Sequence, residues 1–353
     1  MTIDRPQDPL RQYSRPTAPY LHQNTSVTWV MAQVLLALMP AFVLYVSAFG
    51  WGVIIHLALA SVTALACEAA MLTLRKRPLA PFLTDGSALV TAALLTLAIP
   101  PLAPWWITVI AIFFAMVFAK HLYGGLGYNP FNPAMVGYAV LLISFTKELT
   151  IWPSPAHMTP HVLNLAETWR LIFSGELPPS MGLDALSSAT PLDAVKTQLS
   201  QFIPLSEIRM HQMFSSLDQP GWMRVNLAIL AGGLWLLWQR IITWHIPVSV
   251  LGGLFTISFI FHVLDPNIYP SPWFHLFSGA AMLCAFFIAT DPVSAATSRR
   301  GKLFFGAGIG LLIYVIRTWG GYPDGVAFAV LVMNMAAPML DYYTQPRVFG
   351  YKR

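Results

Sequence analysis

The chain reads as an all-α integral membrane protein of about ten transmembrane helices, arranged as two inverted repeats of five with one long external loop. Of its 353 residues, 56% are hydrophobic and only 10% charged, against about 25% charged in soluble domains. Apolar stretches of about 20 residues, long enough to cross a hydrocarbon core, recur along the whole chain. Glycine-bearing motifs also return at nearly constant spacing in the second half.

Residues 1–26 are polar and Pro-rich, lack the apolar core of a cleavable signal, and are expected to form a cytoplasmic N-terminal segment. The first membrane repeat, 27–146, contains spans near 27–49, 51–74, 86–103, 105–122 and 130–146. Residues 147–224 form the external loop, rich in Pro, Ser, His and Met and too long for a simple connector. The second repeat, 225–341, contains spans near 225–242, 247–264, 273–290, 301–318 and 324–341, and 342–353 form a cytoplasmic tail.

Charge sets the orientation. The net charge of +5 does not point to nucleic acid, because alternating through ten spans from a cytoplasmic N-terminus sorts the Lys and Arg residues unevenly. Arg5, Arg11, Arg15, Arg75, Lys76, Arg77, Lys120, Arg240, Arg299, Arg300, Lys302, Arg347, Lys352 and Arg353 fall on the cytoplasmic side. Lys147, Arg170, Lys196, Arg209, Arg224 and Arg317 fall outside, most of them within or near the long loop, where charge bias counts little. Trp105, Trp106, Trp152, Trp222, Trp244 and Trp273 sit at expected span ends and read as interface anchors.

The halves echo each other. Gly86 opens the third span as Gly279 opens the eighth, and Lys120-His121 with Gly124-Gly125 closes the fourth as Ile316-Arg317 with Gly320-Gly321 closes the ninth; the glycine spacings are 193 and 196. Five spans per repeat is an odd number, so the second half enters the membrane upside down, and such repeats place binding sites near their junction on helices broken by Gly or Pro. The plainer reading is that small residues recur in any membrane helix. Two broken stretches stand out: Gly124 to Pro133, with Asn129 and Asn132 each before a proline, and Thr290-Asp291-Pro292-Val293-Ser294. Backbone exposed at membrane depth needs protein or a polar cavity beside it; Asp291 either holds a ligand or caps the following turn.

Other polar residues divide between roles. Glu68 is read either on a cation path or in an interfacial pair near Arg75. His56 and His262 are placed toward the external side and His121 toward the cytoplasmic side, and a bis-histidine haem using His56 with His121 or His262 is not expected. Cys67 and Cys284 lie in apolar spans and are too few for a four-thiolate cluster on this chain. No residue set forms a complete catalytic site or a metal site, and no Gly-x-Gly-x-x-Gly unit for NAD follows a soluble strand.

Within the loop, Thr190-Pro191-Leu192-Asp193 reads as a helix start: Thr190 the N-cap, Pro191 the first helical residue, Asp193 a capping-box-like partner, with Leu192, Val195, Leu199 and Phe202 on one face. A helix N-terminus also receives phosphate. The preceding residues complete Asp184-Ala185-Leu186-Ser187-Ser188-Ala189-Thr190, which matches the Asp-x-x-Ser-x-Ala-Thr site where a transferase esterifies FMN to a threonine hydroxyl.

With the two broken stretches and the ten-span layout, this heptad makes nearly the whole chain resemble the RnfD family of Rnf ion-translocating electron-transport complexes, and more distantly the NqrB component of the sodium-translocating NADH:quinone oxidoreductases. The resemblance implies a covalent FMN on Thr190, within a site that includes Asp184, Ser187, Ser188, Ala189 and Pro191. It also implies a non-covalent riboflavin toward the cytoplasmic side, for which Asn129 and Asn132 are the first candidates and Thr290 and Asp291 the second. Further implications are electron flow between ferredoxin and NAD coupled to Na⁺ or H⁺ movement, a bacterial inner-membrane location, and a flavin transferase for maturation. Partner subunits would supply the iron–sulfur centres, the NAD site and a second FMN. The alternative is an inverted-repeat transporter or channel without redox function, or a passive scaffold.

Overall fold

The computed structural model describes residues 26–156, 162–177, 182, 186–208 and 220–345. The N-terminal segment up to residue 25, the tail from 346 and Asp184 lie outside the described residues. Each of the ten expected stretches contains helix. The first half has α1 (Val27–Phe49), α2 (Gly52–Leu74), α3 (Ser87–Ala98), α4 (Trp105–Phe113, continuing as the π-helical Phe114–His121) and α5 (Pro133–Ser144). The loop holds α6 (Leu165–Ser174) and α7 (Pro191–Ser200). The second half has α8 (Pro220–Trp238), α9 (His245–Leu264), α10 (Ala281–Leu283, continuing as the π-helical Cys284–Ile288), α11 (Arg299–Trp319) and α12 (Val326–Thr344).

Six helical stretches among the described residues are long and apolar enough to cross a membrane: α1, α2, Ala80–Ala98 with α3 at its end, α9, α11 and α12. The chain is thus an all-α, multi-pass membrane protein. Three elements, α3, α5 and α10, are shorter than the sequence led us to expect, and local backbone chemistry marks where each begins. Gly86 before α3 and Gly279 before α10 adopt φ of 80° and 66°, a left-handed turn that glycine makes without steric cost. In α5, Pro133 has no N–H to donate and so begins the helix, with Asn132 as its cap.

One continuous apolar core joins both halves, drawing on α1 to α5 and α8 to α12. The surface is the inverse of a soluble protein's: Leu36, Val43, Val62 and Ile143 are exposed where acyl chains replace water. Small residues bring backbones together. A Cβ at Gly310 of α11 would strike the Val250 carbonyl and the Leu254 amide of α9, and one at Gly137 of α5 would strike the Ala111 carbonyl of α4. Gly310→Val is therefore expected to separate α9 from α11 at a cost of about 1–3 kcal/mol, read as a lower aggregation temperature of the detergent-solubilised protein; an unchanged temperature refutes the close approach.

The loop is folded where it is described. Leu165–Ser174 has a complete capping box, Asn164 accepting from the Glu167 amide and Glu167 accepting from the Asn164 amide, and it ends at a left-handed Gly175. Residues 152–153 pair antiparallel with 187–188, Trp152 opposite Ser188 and Pro153 opposite Ser187. α7 stops at Ser200, so Phe202 is not on its apolar face: at φ 63° and 96% exposed it lies past the helix end. Ile203 turns inward instead, packing beside Val195, Leu205 and Ile208.

Candidate functional site

Two cavities open toward opposite ends of the bundle, and each collects residues singled out in the sequence. The first lies on the side of the long loop. Thr190, Pro191 and Leu192 at the start of α7 form one wall, and Tyr45, Tyr138, Trp152, Trp222 and Tyr322 supply aromatic surface. Trp152 and Trp222 pack edge to face at 5.1 Å, so these two line a cavity and are not interface anchors as expected. Trp105, Trp244 and Trp273 do stay exposed at helix starts, whereas Trp106 packs on Phe145 at 5.0 Å.

Thr190 caps α7, its Oγ accepting from the Asp193 amide at 3.3 Å, and Pro191 is the first helical residue. Ser187 and Ser188 are half-buried in the short strand pair, Ala189 is exposed and Pro191 buried. The Ser154 amide donates to the Leu186 carbonyl and fixes the approach to that strand. Residues 187–191 thus turn from a pinned strand into a helix with Thr190 at the corner. Free N–H groups at such a corner favour an anionic substituent.

Lys196 secures this helix. Its ammonium donates to the carbonyls of Gly320 at 2.5 Å, Tyr322 at 2.8 Å and Ile316 at 3.4 Å, closing the C-terminus of α11. Burial pushes the Lys196 ammonium down and the Asp193 carboxyl up, and each group's charge opposes the other's shift. Lys196→Met should loosen α7 by about 1.5–3 kcal/mol, the worth of hydrogen bonds to a charged group, seen as faster hydrogen exchange at 194–200. Unchanged protection would show that the clamp is idle.

Beneath Thr190, Arg317 is buried and organises the broken start of α10. Its Nε and one terminal nitrogen donate to Asp324 Oδ1 at 3.2 Å, and its terminal nitrogens reach the carbonyls of His275 at 2.6 Å and Ser278 at 3.1 Å. Asp324 in turn accepts from the Ala280 amide at 2.8 Å. Gly279 admits no side chain here, since a Cβ would meet Asp324 and Leu192. Read from the sequence as a charge outside the membrane, Arg317 is instead a buried framework residue; its only sequence signal was its match to the cationic end of the fourth span.

The second cavity lies at the far end of the bundle. Asn129, Asn132, Thr290 and Asp291 all line it, together with Ser87 and Lys120. The structure brings both pairs of candidates into one site and divides their work. Asn132 is committed: it accepts from the Met135 amide at 3.2 Å and donates to the Ile288 carbonyl at 3.2 Å, while its own amide donates to Asn334 at 3.1 Å. Asn334, which the sequence did not mark, also donates to the Ser294 carbonyl at 3.0 Å and so ties the two broken stretches together. Thr290 donates back to the Phe286 carbonyl at 2.7 Å. Asp291 caps its turn, accepting from the Val293 amide and the Ser294 hydroxyl. Asn129 donates to the Phe131 carbonyl at 3.0 Å, and its buried Oδ1 has no hydrogen-bond partner.

Glu68 pairs with Lys120 at 2.7 Å and not with Arg75, whose guanidinium donates to the His121 carbonyl. Both are about 2% exposed, and the same ammonium donates to Ser87 Oγ at 2.8 Å. Lys120, counted in the sequence among orienting surface charges, is interior. His56 hydrogen-bonds Thr108 at 2.7 Å and His262 the Tyr269 carbonyl at 2.8 Å, whereas His121 lies against Glu68. Among the described residues no group of three or more His, Cys, Asp or Glu is disposed to hold a metal.

The same three helices border both cavities. Leu97, Met135 and Ile288 line the first, while Leu94, Ala134 and Phe287, on the same three helices, line the second.

Comparison with known proteins agrees over nearly the whole chain. A protein from Aliivibrio salmonicida (strain LFI1238), described as the D subunit of an ion-translocating oxidoreductase complex, is 52% identical over 345 residues, covering 96% of this chain and 98% of its own. Proteins of the same description from Pseudomonas aeruginosa (strain UCBPP-PA14) and Escherichia coli O127:H6 are 53% and 48% identical, over 96% of this chain in both cases and 96% and 98% of their own. Residues 15–350 match the model of one family; the chain belongs to the NQR2, RnfD, RnfE family.

Proposed function

We propose that this chain is the RnfD-type member of an ion-translocating oxidoreductase complex, carrying FMN in phosphoester linkage to Thr190 and a non-covalent riboflavin in the far cavity. A bound flavin supplies the electron transfer that side chains cannot. The observation that carries the reading is the position of Thr190, whose Oγ caps a helix at the mouth of an aromatic-walled cavity. The residues fit the group: amides at the start of α7 suit a phosphate, and Tyr45, Trp152, Trp222 and Tyr322 offer faces to a planar ring. Asp184 belongs to the recognition heptad by sequence alone.

In this reading Lys196 and the strand pair hold Thr190 still, while Arg317 and Asp324 keep the cavity floor in shape. The two cavities, bordered by the same three helices, give electrons a path across the membrane centre. Paired left-handed glycines before α3 and α10, each with a buried cation reaching the start of the short helix, support the inverted duplication with a first repeat at 27–146 and a second at 225–341. The loop side is external and both termini cytoplasmic, in a bacterial inner membrane, as the charge distribution favours. Iron–sulfur, NAD-binding and second FMN-bearing subunits complete the complex, a flavin transferase loads Thr190, and the electron flow drives Na⁺ or H⁺ translocation.

Peptide mass spectrometry of the chain from cells possessing the transferase tests this. An FMN phosphoester is expected on the peptide containing Thr190. A bare peptide, or a colourless washed protein that moves a solute in liposomes, would overturn it in favour of a transporter.

A further inference from the structure

The far cavity offers an unpaired donor as well as an unpaired acceptor. An ammonium has three N–H donors, and Lys120 spends one on Glu68 and one on Ser87. The third is left for the cavity that Lys120 lines. Asn129, which lines the same cavity, keeps a buried Oδ1 without a partner. Among the described lining residues Lys120 is the only cation, and the only anion, Asp291, is occupied by its own turn. A free donor and a free acceptor on the wall of one cavity complement the carbonyl and N–H edge of a pyrimidine-like ring.

We propose that Lys120 holds the electron-rich edge of the flavin in the far cavity, its third N–H donating to a ring carbonyl while Asn129 Oδ1 accepts from the neighbouring ring N–H. This rests on the reading that the far cavity takes a non-covalent flavin. Glu68 is the positioning residue: it fixes the ammonium at 2.7 Å and sets how much of its charge the ligand feels. The reduced ring carries more negative charge than the oxidised one, so a cation in a low-dielectric site holds the reduced form more tightly. Lys120 therefore raises the flavin's potential, and Glu68 moderates that rise. The pairing also explains why an ionisable residue sits at this depth, where an unpaired charge is costly.

Opposite signs for the two partners are the test. The full-length chain bearing Thr190→Asn, and hence no covalent flavin, is purified; its acid-extractable flavin is counted and its redox titration recorded. Adding Lys120→Met should retain flavin but lower the ratio of reduced to oxidised affinity about tenfold, a shift of about 30 mV for a two-electron couple. Glu68→Gln should raise the same ratio, and Lys120→Arg, which keeps the charge, should stay near the parent. Flavin retained with an unchanged ratio in Lys120→Met overturns the inference and leaves the flavin reading intact. Absence of extractable flavin from the Thr190→Asn chain overturns that reading, and the inference with it. Should Lys120→Met fail to fold, a null or downward shift in Glu68→Gln is equally fatal.

Discussion

Replacing Thr190 by asparagine is expected to abolish covalent flavin on this chain while leaving α7 folded. The two roles of the threonine separate cleanly, because asparagine is among the best N-caps but offers no hydroxyl to esterify. Its side-chain oxygen can take over the Asp193 amide that Thr190 Oγ accepts at 3.3 Å. Thr190→Ala, by contrast, loses both roles and about 0.5–2 kcal/mol of helix stability. In-gel flavin fluorescence should vanish from the chain in both variants, and ferredoxin-to-NAD electron transfer by membranes should fall to the background of a strain lacking the complex. Thermal unfolding should shift only for alanine. Persistent fluorescence on this chain in the asparagine variant would falsify attachment at Thr190.

Arg317→Met should be the most damaging single change to the fold around the first cavity. It strands Asp324, whose side chain is 21% exposed, and strips donors from the carbonyls of His275 and Ser278. Removing one member of a buried pair costs about 3–5 kcal/mol, more than the pair itself contributes, because the remaining charge stays desolvated. The yield of monodisperse protein on size-exclusion chromatography should collapse. Adding Asp324→Asn should recover part of it by removing the orphan charge, whereas Arg317→Lys should recover little, since an ammonium cannot reproduce the guanidinium fork. A double variant no better than the single one would show that the ion pair is not the cause.

Helix placement was legible in the sequence because membrane spans are written in consecutive apolar residues; the ten expected stretches all contain helix. The breaks were legible as well: Gly86, Gly279 and the Asn132-Pro133 step mark short helices through backbone chemistry that needs no partner. Tertiary pairings were not. Whether Glu68 meets Arg75 or Lys120 depends on how α2 packs against α4, and nothing local to either residue encodes that. The same holds for Trp152 and Trp222, which look like interface anchors until the loop folds back and pairs 152–153 with 187–188. Phe202 fell on the apolar stripe of an ideal helix, but the chain turns left-handed there and Ile203 packs in its stead. Among the site residues, Thr190 and Pro191 announced themselves through capping rules, and Asn129 through its broken stretch. Lys120 and Arg317 stayed hidden, because a charge near the end of a span looks the same whether it snorkels to lipid headgroups or turns into the bundle.

The widened turns in α4 and α10 have a further consequence. The Leu122 amide bonds the carbonyl of Val117, and that of Ala289 the carbonyl of Cys284, five residues back in each case. Everything after such a turn is rotated relative to an ordinary helix, by an angle set by one surplus residue. Inserting a further residue within 114–118, beyond the one the widened turn already absorbs, would swing Lys120 roughly 100° around the axis and away from Glu68. The azimuth of that ammonium is thus held by a counting feature of the backbone, and a one-codon insertion there would be far more disruptive than most substitutions at the same positions.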